Sequence, residues 1–401
     1  MKDVLIIGGG AAGVMAAIQL AKRKKSLELW DKNDKLLKKV LVSGNGRCNI
    51  TNKDVKPEDY YTSNNKILYN ILNQFSHYDT IDFFDSLGLE FKEEKQGKLF
   101  PITNQAISVY DVFLAELQDL KIPIKQKTSA EKINILKDKI EVTNQKQEKH
   151  FFKNILIATG GKSYSFLGSS GDGFNFAKKI GHTIIQPVPG LVPLVIEKKI
   201  FNALQGVKTD VEITAQKKHF TDEMMFTHYG LSGPVILDLS LEFAQEINKG
   251  HFPIQINFFP GKNQETLKDY LKNRWTKMQK RSLANSFAGI LPSKAIRTLL
   301  SLIKGINPDK KTAEISKKEL NLICSQLTNW EIFIKESRGF QEAQVTRGGV
   351  SIEEINFKTM ESKLVPHVYF AGEILDVTGR SGGFNLQFAW SSGYIAGTHI
   401  D

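Results

Sequence analysis

The sequence predicts an α/β fold, and three observations support this prediction. A glycine-rich strand–turn–helix unit lies at the N-terminus, and a second glycine-rich segment of the same style lies near the C-terminus. Between them, segments of alternating apolar and polar residues are followed by a strongly basic helical segment. We therefore expect an inserted unit that divides an α/β domain built from both ends of the chain.

The N-terminal unit has the spacing of a dinucleotide-binding motif. The apolar run Val4–Ile7 leads into Gly8–Gly13, which reads G-x-G-x-x-G, and the helical pattern Val14–Ala21 follows. The three glycines permit a tight turn, a close approach of the backbone to a pyrophosphate, and packing of the helix on the strand. The next strand, Leu27–Trp30, ends at Asp31, where an acid accepts ribose hydroxyls. This motif leaves FAD and NAD open.

Composition restricts the class of protein. A chain of 401 residues usually forms two or three domains, and no apolar run is long enough to span a membrane. Two cysteines, Cys48 and Cys324, lie far apart in unlike surroundings, which favours reduced thiols and a cytoplasmic location. No cluster of His, Cys, Asp and Glu has the spacing of metal ligands, so we predict no metal centre.

Charge is concentrated in one segment. Residues 261–320 hold 14 Lys and Arg but five Asp and Glu, a net charge of +9 out of the total of +11. One interpretation is a solvated lysine-rich helical face, and the other is a surface for a polyanion, most simply RNA. The candidate RNA-binding residues are Lys272, Arg274, Lys277, Lys280, Arg281, Lys294 and Arg297.

The C-terminal glycine-rich segment distinguishes between the two cofactors. A strand at Val368–Ala371 leads into Gly372 and Glu373, and Gly382–Gln387 precedes a final apolar helix, Phe388–Ala396. Flavoproteins complete an FAD site in this way, with an acid near the ribityl chain and a helix N-terminus directed at the flavin C2 carbonyl. The helix dipole there stabilises negative charge on the reduced flavin. The pairing with Gly8–Gly13 favours FAD.

The chain resembles the BaiN-like/YhiN-like family of bacterial NAD(P)/FAD-dependent flavoproteins over nearly its full length. Small departures are Asn45, where the family usually has glycine, and Asp31, where it usually has glutamate. The family includes ribosomal RNA dihydrouridine synthases and proteins similar to aminoacetone oxidase. The matching segments are Lys39–Asn52, Ala158–Gly173, Met225–Pro234, Ala343–Ser351 and Thr359–Gly397.

The resemblance implies a Rossmann-like FAD-binding domain of the two-dinucleotide-fold type, with an inserted β-barrel-like domain and a small helical domain. Because no second G-x-G-x-x-G is present, NAD(P)H would reach the flavin only transiently. From the patterns along the chain, we expect the FAD-binding domain at 1–190 and 346–401, the β-rich insert at 191–259 and 323–345, and the basic helical domain at 260–322.

The resemblance also implies the cofactor contacts. Pyrophosphate, adenosine, ribityl and flavin contacts are expected, in chain order, from Gly8, Gly10, Ala11, Ala12, Gly13, Asp31, Lys32, Ser43, Gly44, Gly46, Arg47, Cys48, Asn49, Ala130, Glu131, Thr159, Gly160, Gly372, Glu373, Asp376, Gly383, Asn385 and Gln387.

Two residues are candidates for a catalytic proton donor. Cys48 lies beside Arg47, which would lower the pKa of its thiol, although a small buried packing residue explains it equally well. His228 is the second candidate because histidine as a residue type titrates near neutrality, and a structural histidine in a tight turn is the alternative. By resemblance, Tyr164 and Arg380 are candidate substrate contacts. Asp172, in Gly171–Gly173, is expected to cap the helix that follows it rather than to take part in the chemistry.

Three functions are consistent with these features. The first is reduction of a uridine in 23S ribosomal RNA to dihydrouridine, which would use the basic segment to hold RNA. The second is a small-molecule oxidoreductase, such as an amino-ketone oxidase or an enone reductase, which leaves the basic segment unexplained. The third is a non-enzymatic flavin-binding or RNA-binding scaffold, which the intact C-terminal flavin segment argues against. The sequence favours the first and does not give the oligomeric state.

Overall fold

The computed structural model describes residues 1–196 and 203–401. These residues form two compact units. The first combines Met1–Pro189 with Ala343–Asp401, and the second is Gly190–Glu342. The prediction of an α/β domain made from both ends of the chain, with an insertion between them, is confirmed.

The strands and helices of the described residues are numbered here in chain order. The strands are β1 Lys2–Ile7, β2 Leu27–Trp30, β3 Thr51–Asn52, β4 Tyr60–Thr62, β5 Phe91–Glu94, β6 Lys98–Pro101, β7 Ile124–Lys125, β8 Ala130–Ile135, β9 Ile140–Asn144, β10 Lys149–Ile157, β11 Ile184–Gly190, β12 Leu194–Ile196, β13 Lys208–Ala215, β14 Lys218–Phe226, β15 Gly230–Ser232, β16 Phe252–Asn257, β17 Trp330–Ser337, β18 Val345–Val350, β19 Val368–Phe370 and β20 Val377–Gly379. The helices are α1 Ala11–Lys22, α2 Lys38–Gly46, α3 Asn65–Gln74, α4 His77–Ser86, α5 Ala106–Asp119, α6 Asp172–Lys179, α7 Pro234–Glu242, α8 Ala244–Ile247, α9 Gln264–Trp275, α10 Leu283–Ser286, α11 Ser293–Leu302, α12 Lys317–Thr328 and α13 Phe384–His399.

The main sheet of the first unit places four strand ends at one edge. Its order is β7-β2-β1-β10-β9-β8, and β19 pairs with β10. The strands β1, β2, β10 and β19 are parallel, and Ile7 is in register with both Trp30 and Ile157. Ile157 is in turn opposite Phe370. Ligands of open α/β sheets bind at the carboxyl ends of the strands, so the residues that follow these strands converge on one place.

The helices α1 and α13 pack closely against each other through glycines of α13. A Cβ added at Gly393 of α13 would lie 2.4 Å from the carbonyl oxygen of Ala12, and one at Gly397 would lie 2.6 Å from that of Ala16. Only glycine therefore allows α13 to approach α1 this closely. The final helix is longer than predicted: it begins at Phe384, inside the glycine-rich segment, rather than at Phe388.

The second unit contains a closed barrel, so the predicted β-barrel-like insert is confirmed. Its strand order is β12-β15-β14-β13-β16-β17. Alternate residues of β16 are buried, as expected for a barrel strand whose side chains point in and out. The helices α9 to α12 share one hydrophobic core with the barrel, and Trp275 and Leu299 lie in that core. Within the described residues, no helix combines the length and apolar character that a membrane crossing requires.

Candidate active site

The turn after β1 has a backbone that requires glycine. Gly8 has a φ of +108°, its N–H donates to the carbonyl of Trp30 at 2.8 Å, and an added Cβ would lie 2.3 Å from the carbonyl oxygen of Ala158. An added Cβ at Gly13 would lie 1.9 Å from the carbonyl oxygen of Gly8. These two glycines therefore hold β1, β10 and α1 together.

Gly10 differs from its neighbours because its Cβ direction is open. An added Cβ there has no heavy atom within 4 Å, apart from the chain neighbours. Gly10 is also the N-cap residue of α1, and no side chain caps this helix. The first N–H groups of an α-helix lack partners within the helix and carry partial positive charge. The start of α1 therefore suits a pyrophosphate.

Asp31 lies directly after β2, and backbone N–H groups hold its carboxylate. Its Oδ2 accepts from the N–H of Gly9 at 2.7 Å, and its Oδ1 accepts from the N–H of Asn33 at 2.7 Å. A carboxylate has about four acceptor sites, so two remain for ribose hydroxyls. The carbonyl of Asp31 accepts from Thr128 N–H at 2.9 Å. This bond brings the start of β8, with Ala130 and Glu131, to the same edge.

Lys32 forms an ion pair that the sequence did not indicate. Its Nζ lies 2.6 Å from Asp172 Oδ2 and also donates to Ser170 Oγ. The expectation that Asp172 caps α6 is wrong, because Gly171 is the N-cap residue and no side chain caps the helix. Burial raises the pKa of Asp172, but hydrogen bonds from Lys32 and Ser170 outweigh it, and the pKa lies below its usual value.

Glu373, the expected ribityl contact, is surrounded by four donors of the chain. Its Oε2 accepts from Lys39 Nζ at 2.6 Å and from Gly161 N–H at 3.4 Å. Its Oε1 accepts from Ser163 Oγ at 3.1 Å and from Thr346 N–H at 2.9 Å. This carboxylate therefore ties α2, β18 and the loop after β10 together. The sequence did not indicate Lys39, Ser163 or Thr346 as its partners, although all three lie in the segments that carry the family resemblance.

The loop at the end of α2 has an unusual backbone. Gly44, Asn45, Gly46 and Cys48 all have left-handed φ values, between +55° and +78°. Asn45, at +58°, occupies the position where the family usually has glycine. Asparagine is among the few side chains that tolerate this region, which accounts for the substitution physically.

Cys48 is fully buried, and its expected low pKa is wrong. Burial raises the pKa of the Cys48 thiol to about 12. Arg47, which would have lowered this pKa, instead pairs with Glu94 at 2.8 Å and lies 4.2 Å over the ring of Phe100. A thiolate in apolar surroundings is costly, so Cys48 holds its proton at neutral pH.

Two buried polar atoms at the expected cofactor positions have no protein partner within the described residues. They are Asn49 Oδ1, which follows the loop after α2, and Thr159 Oγ1, which follows β10. Buried polar groups are nearly always hydrogen-bonded, so such atoms indicate a ligand or an ordered water. Together with the open Cβ direction of Gly10, they fit a flavin dinucleotide at this edge.

The start of α13 is fixed by its own side chains. Asn385 donates from Nδ2 to the carbonyl of Gly379 at 2.6 Å and accepts its N–H at 2.9 Å. Gln387 is fully buried and accepts from Thr51 Oγ1 at 2.5 Å. Gly383 is the N-cap residue, with no side-chain cap, so the first N–H groups of α13 lack helical partners. Both expected helix N-termini, of α1 and α13, thus lack side-chain caps.

The remaining candidates of the first unit differ in their surroundings. Asp376 is buried, accepts from Ser63 N–H at 3.2 Å, and has a pKa raised by burial. Arg380 pairs with Asp59 at 2.6 Å. Tyr164 has a φ of +53° and lies edge-on to Phe166, in a loop that Asn33 Nδ2 holds through the carbonyl of Leu167 at 3.1 Å. Gly160 and Gly372 also have left-handed φ values.

His228, in the second unit, is exposed in the turn between β14 and β15. Thr227 N–H donates to the carbonyl of Gly230 at 2.9 Å, and the ring of Tyr229 lies 4.8 Å from that of His228. No group of three or more His, Cys, Asp and Glu side chains in the described part of the chain is arranged to hold a metal ion.

The basic segment folds as predicted into helices, and its charges fall into two sets. Lys268, Lys272, Lys310 and Arg297 pair with Glu265, Asp269, Glu319 and Asp309 respectively, so four of the five acids are used. Arg274 donates to the carbonyls of Ser286 and Ala288. Among residues 203–401, no ion pair involves the exposed side chains of Lys277, Lys280, Arg281 and Lys294.

Comparisons with known proteins agree with this geometry. The family model described as "HI0933-like protein Rossmann domain" matches residues 2–399. The chain is 33% identical, over 99% of its length and 98% of the other, to the 3-dehydro-bile acid delta(4,6)-reductase of Clostridium scindens. It is also 33% identical, with the same coverage of both chains, to the ribosomal RNA dihydrouridine synthase of Haemophilus influenzae.

A solved structure shows the same fold at lower identity. The 3-ketosteroid-delta4-(5alpha)-dehydrogenase of Rhodococcus jostii, in complex with 4-androstene-3,17-dione, aligns with a TM-score of 0.53 and 12% identity. The alignment covers 100% of this chain and 96% of the other. The chain belongs to the HI0933-like Rossmann domain family and is a flavin-dependent oxidoreductase.

Proposed function

We propose that this enzyme uses FAD to reduce a uridine of 23S ribosomal RNA to dihydrouridine. The observation that carries this proposal is the set of exposed, unpaired cations on the helices and connecting loops of the second unit. Such a surface attracts phosphates and serves no evident purpose for a small neutral substrate. The relative from Haemophilus influenzae, named as a ribosomal RNA dihydrouridine synthase, supports the proposal.

FAD is the proposed cofactor because the chain has a suitable binding feature for each end of a flavin dinucleotide. Gly10 and the start of α1 would receive the pyrophosphate, and Asp31 would accept ribose hydroxyls. The start of α13 would lie against the flavin, with Gly383 as its N-cap residue. Release of the cofactor with acid, followed by chromatography, distinguishes FAD from FMN. Recovery of FMN alone would contradict this assignment.

The reaction requires a hydride and a proton. When bound, the flavin supplies the hydride that adds to C6 of the uracil ring. The chain must then supply a proton for C5. Cys48 holds a proton on Sγ at neutral pH, and it is the first proposed donor. His228 is the second, and NAD(P)H is the proposed transient reductant.

Burial also sets a limit on Cys48 as an acid. Loss of its proton leaves a buried thiolate, which low polarity disfavours. Proton transfer from this thiol therefore needs a nearby positive charge or a concerted transfer to the substrate carbon. The charge of Arg47 is already compensated, because Arg47 pairs with Glu94.

Reduction of a conjugated small molecule is the second candidate. The relative from Clostridium scindens is named as a bile acid reductase and is as similar to this chain as the RNA-modifying relative. The chemistry is closely related, since in both cases hydride adds to a carbon–carbon double bond conjugated with a carbonyl. The reaction type therefore does not distinguish the two candidates, whereas the basic surface favours RNA and the experiment below tests it.

The nucleoside content of ribosomal RNA tests the proposal. Cells that lack this protein should lose dihydrouridine at a position in 23S RNA, and the intact gene should restore it. An enzyme that acts on ribosomal RNA would work in the cytoplasm. Unchanged dihydrouridine in the deletion strain would contradict the proposal and favour the small-molecule reductase.

A further inference from the structure

Part of the unpaired positive charge of the second unit lies on two loops that are joined to each other. The loop after α9 and the loop before α12 are joined by hydrogen bonds: Thr312 N–H donates to the carbonyl of Arg281 at 3.0 Å, and Thr312 Oγ1 donates to that of Met278 at 2.8 Å. Ser282 and Lys311 form an antiparallel bridge. The two loops therefore form one surface.

This surface carries four cations that have no acidic partner in the described chain. Lys277, Lys280, Arg281 and Lys311 are all exposed, and we call them the basic loop cluster. Lys310, next to this cluster, is neutralised by Glu319 at 2.8 Å. Exposed cations without an ion pair also lie elsewhere in the basic segment, at Lys294, Lys304, Lys317 and Lys318, but the cluster brings four such cations onto two joined loops, with the exposed Glu314 nearby.

Aromatic side chains are absent from the exposed part of residues 261–320, all of which the structure describes. Trp275 is 7% exposed, and its indole N–H donates to Ser286 Oγ at 2.8 Å. Phe287 is fully buried, and Tyr270 is half-buried with Lys262 over its ring. Proteins that hold single-stranded RNA usually stack bases on exposed aromatic rings. Residues 261–320 have no exposed aromatic ring for such stacking.

We propose that the basic loop cluster docks the phosphate backbone of double-helical RNA, without reading its bases. The proposal rests on the proposed function, because it identifies where the RNA substrate would be held. Four uncompensated cations without aromatic neighbours match the contacts that a duplex presents, namely regularly spaced phosphates. Binding should therefore be strongly salt-dependent and nearly independent of sequence.

The test compares two variants of the full-length protein that lose the same charge. The cluster variant is Lys277→Gln, Lys280→Gln and Arg281→Gln. The control is Lys208→Gln, Lys218→Gln and Lys268→Gln, whose lysines lie in the same unit and pair with Glu223, Glu242 and Glu265. Both are measured against a 20-base-pair RNA duplex at several salt concentrations. Flavin content and thermal unfolding show that both are folded.

The cluster variant should bind the duplex more weakly at low salt, with a log–log salt slope shallower by up to about 2.7. The control should keep nearly the slope of the wild type. Equal losses in both variants would mean that net charge alone matters, and would overturn the proposal. The proposal would also be overturned if the cluster variant bound the duplex as tightly as the wild type. A cluster variant that kept duplex binding but lost binding to phosphatidylglycerol vesicles would likewise overturn it.

A product assay separates this inference from the proposed function. Dihydrouridine in ribosomal RNA is measured in deletion cells that carry the wild-type or the cluster variant. If the wild type restores dihydrouridine and the cluster variant binds RNA normally, the docking surface is wrong and the function stands. If the wild type restores none, the function is wrong, while the comparison of salt slopes still decides whether the cluster binds duplex RNA.

Discussion

Asn45 illustrates, at the scale of one residue, how the backbone limits substitution. It has a φ of +58° between Gly44 and Gly46, in the loop that follows the regular part of α2. Left-handed backbone costs an ordinary side chain about 1–2 kcal/mol, and asparagine less. The loop contributes several proposed flavin contacts, so its conformation matters to cofactor binding.

Substitution of Asn45 tests whether the left-handed backbone selects the residue at this position. Asn45→Ala should lower the free energy of unfolding by about 1 kcal/mol and weaken flavin retention, because alanine is strained at this φ. Asn45→Gly should retain both properties. Urea unfolding and flavin content measure the two effects. If alanine and glycine behave alike, the left-handed backbone is not what selects the residue.

Cys48 is the residue whose chemistry the sequence described least well. Cys48→Ala should keep the flavin and its reduction by an external reductant, but it should slow the oxidation of the reduced enzyme by substrate. The reason is that the variant lacks the proton at Sγ. Stopped-flow measurement of the two half-reactions separates these effects. Unchanged rates in both would leave Cys48 as a packing residue, and His228→Ala would be the next variant.

At the scale of elements, Gly10 and Gly13 of the same turn have different roles: Gly10 leaves space for the cofactor, and Gly13 allows the helix to pack. Gly10→Ala should fold normally, because an added Cβ meets no protein atom within 4 Å, yet it should lose flavin because the methyl group occupies the expected pyrophosphate space. Gly13→Ala should fail to fold properly, because its Cβ would lie 1.9 Å from the carbonyl oxygen of Gly8. Thermal unfolding and flavin content distinguish them. Full flavin retention in Gly10→Ala would place the pyrophosphate elsewhere.

Another contact between elements is sensitive to pH. Ser362 Oγ accepts from the N–H groups of Leu364 and Val365, so its hydroxyl donates to His182 Nε2 at 2.8 Å. Nδ1–H of His182 then donates to Glu354 at 2.8 Å, which requires the neutral imidazole. Burial lowers the pKa of His182, and Glu354 only partly offsets this.

The direction of the pH effect follows from this lowered pKa. The unfolded chain binds a proton near pH 6.5 and the folded chain only at lower pH, so stability is lost as the pH falls below about 6.5. His182→Gln should be less stable at pH 7.5, but it should lose less stability between pH 7.5 and 5. Denaturant unfolding at several pH values measures this, and parallel curves for both proteins would contradict it.

At the scale of the whole molecule, local features were predictable and distant contacts were not. The turn at Gly8–Gly13 is specified by residues next to each other, so its strand, turn and helix follow from spacing. The partners of Glu373 come from segments far apart in sequence that only the sheet brings together. No spacing rule could have indicated them.

The two errors about side chains have the same origin. Asp172 was expected to cap its own helix, but Lys32 reaches it from the strand end that β2 places nearby. Cys48 was expected to have a lowered pKa, but the fold buries the thiol and turns Arg47 toward Glu94. Burial and long-range pairing depend on tertiary structure, which a local motif does not contain.

If this flavin-dependent enzyme acts on ribosomal RNA, that RNA should oxidise its reduced flavin. The flavin of the purified protein is reduced under anaerobic conditions, and the protein is then mixed with 23S ribosomal RNA from cells that lack this protein. We expect the flavin to be reoxidised and one dihydrouridine to form for each flavin oxidised. Reoxidation by a conjugated small-molecule enone, with no dihydrouridine formed in the RNA, would contradict it.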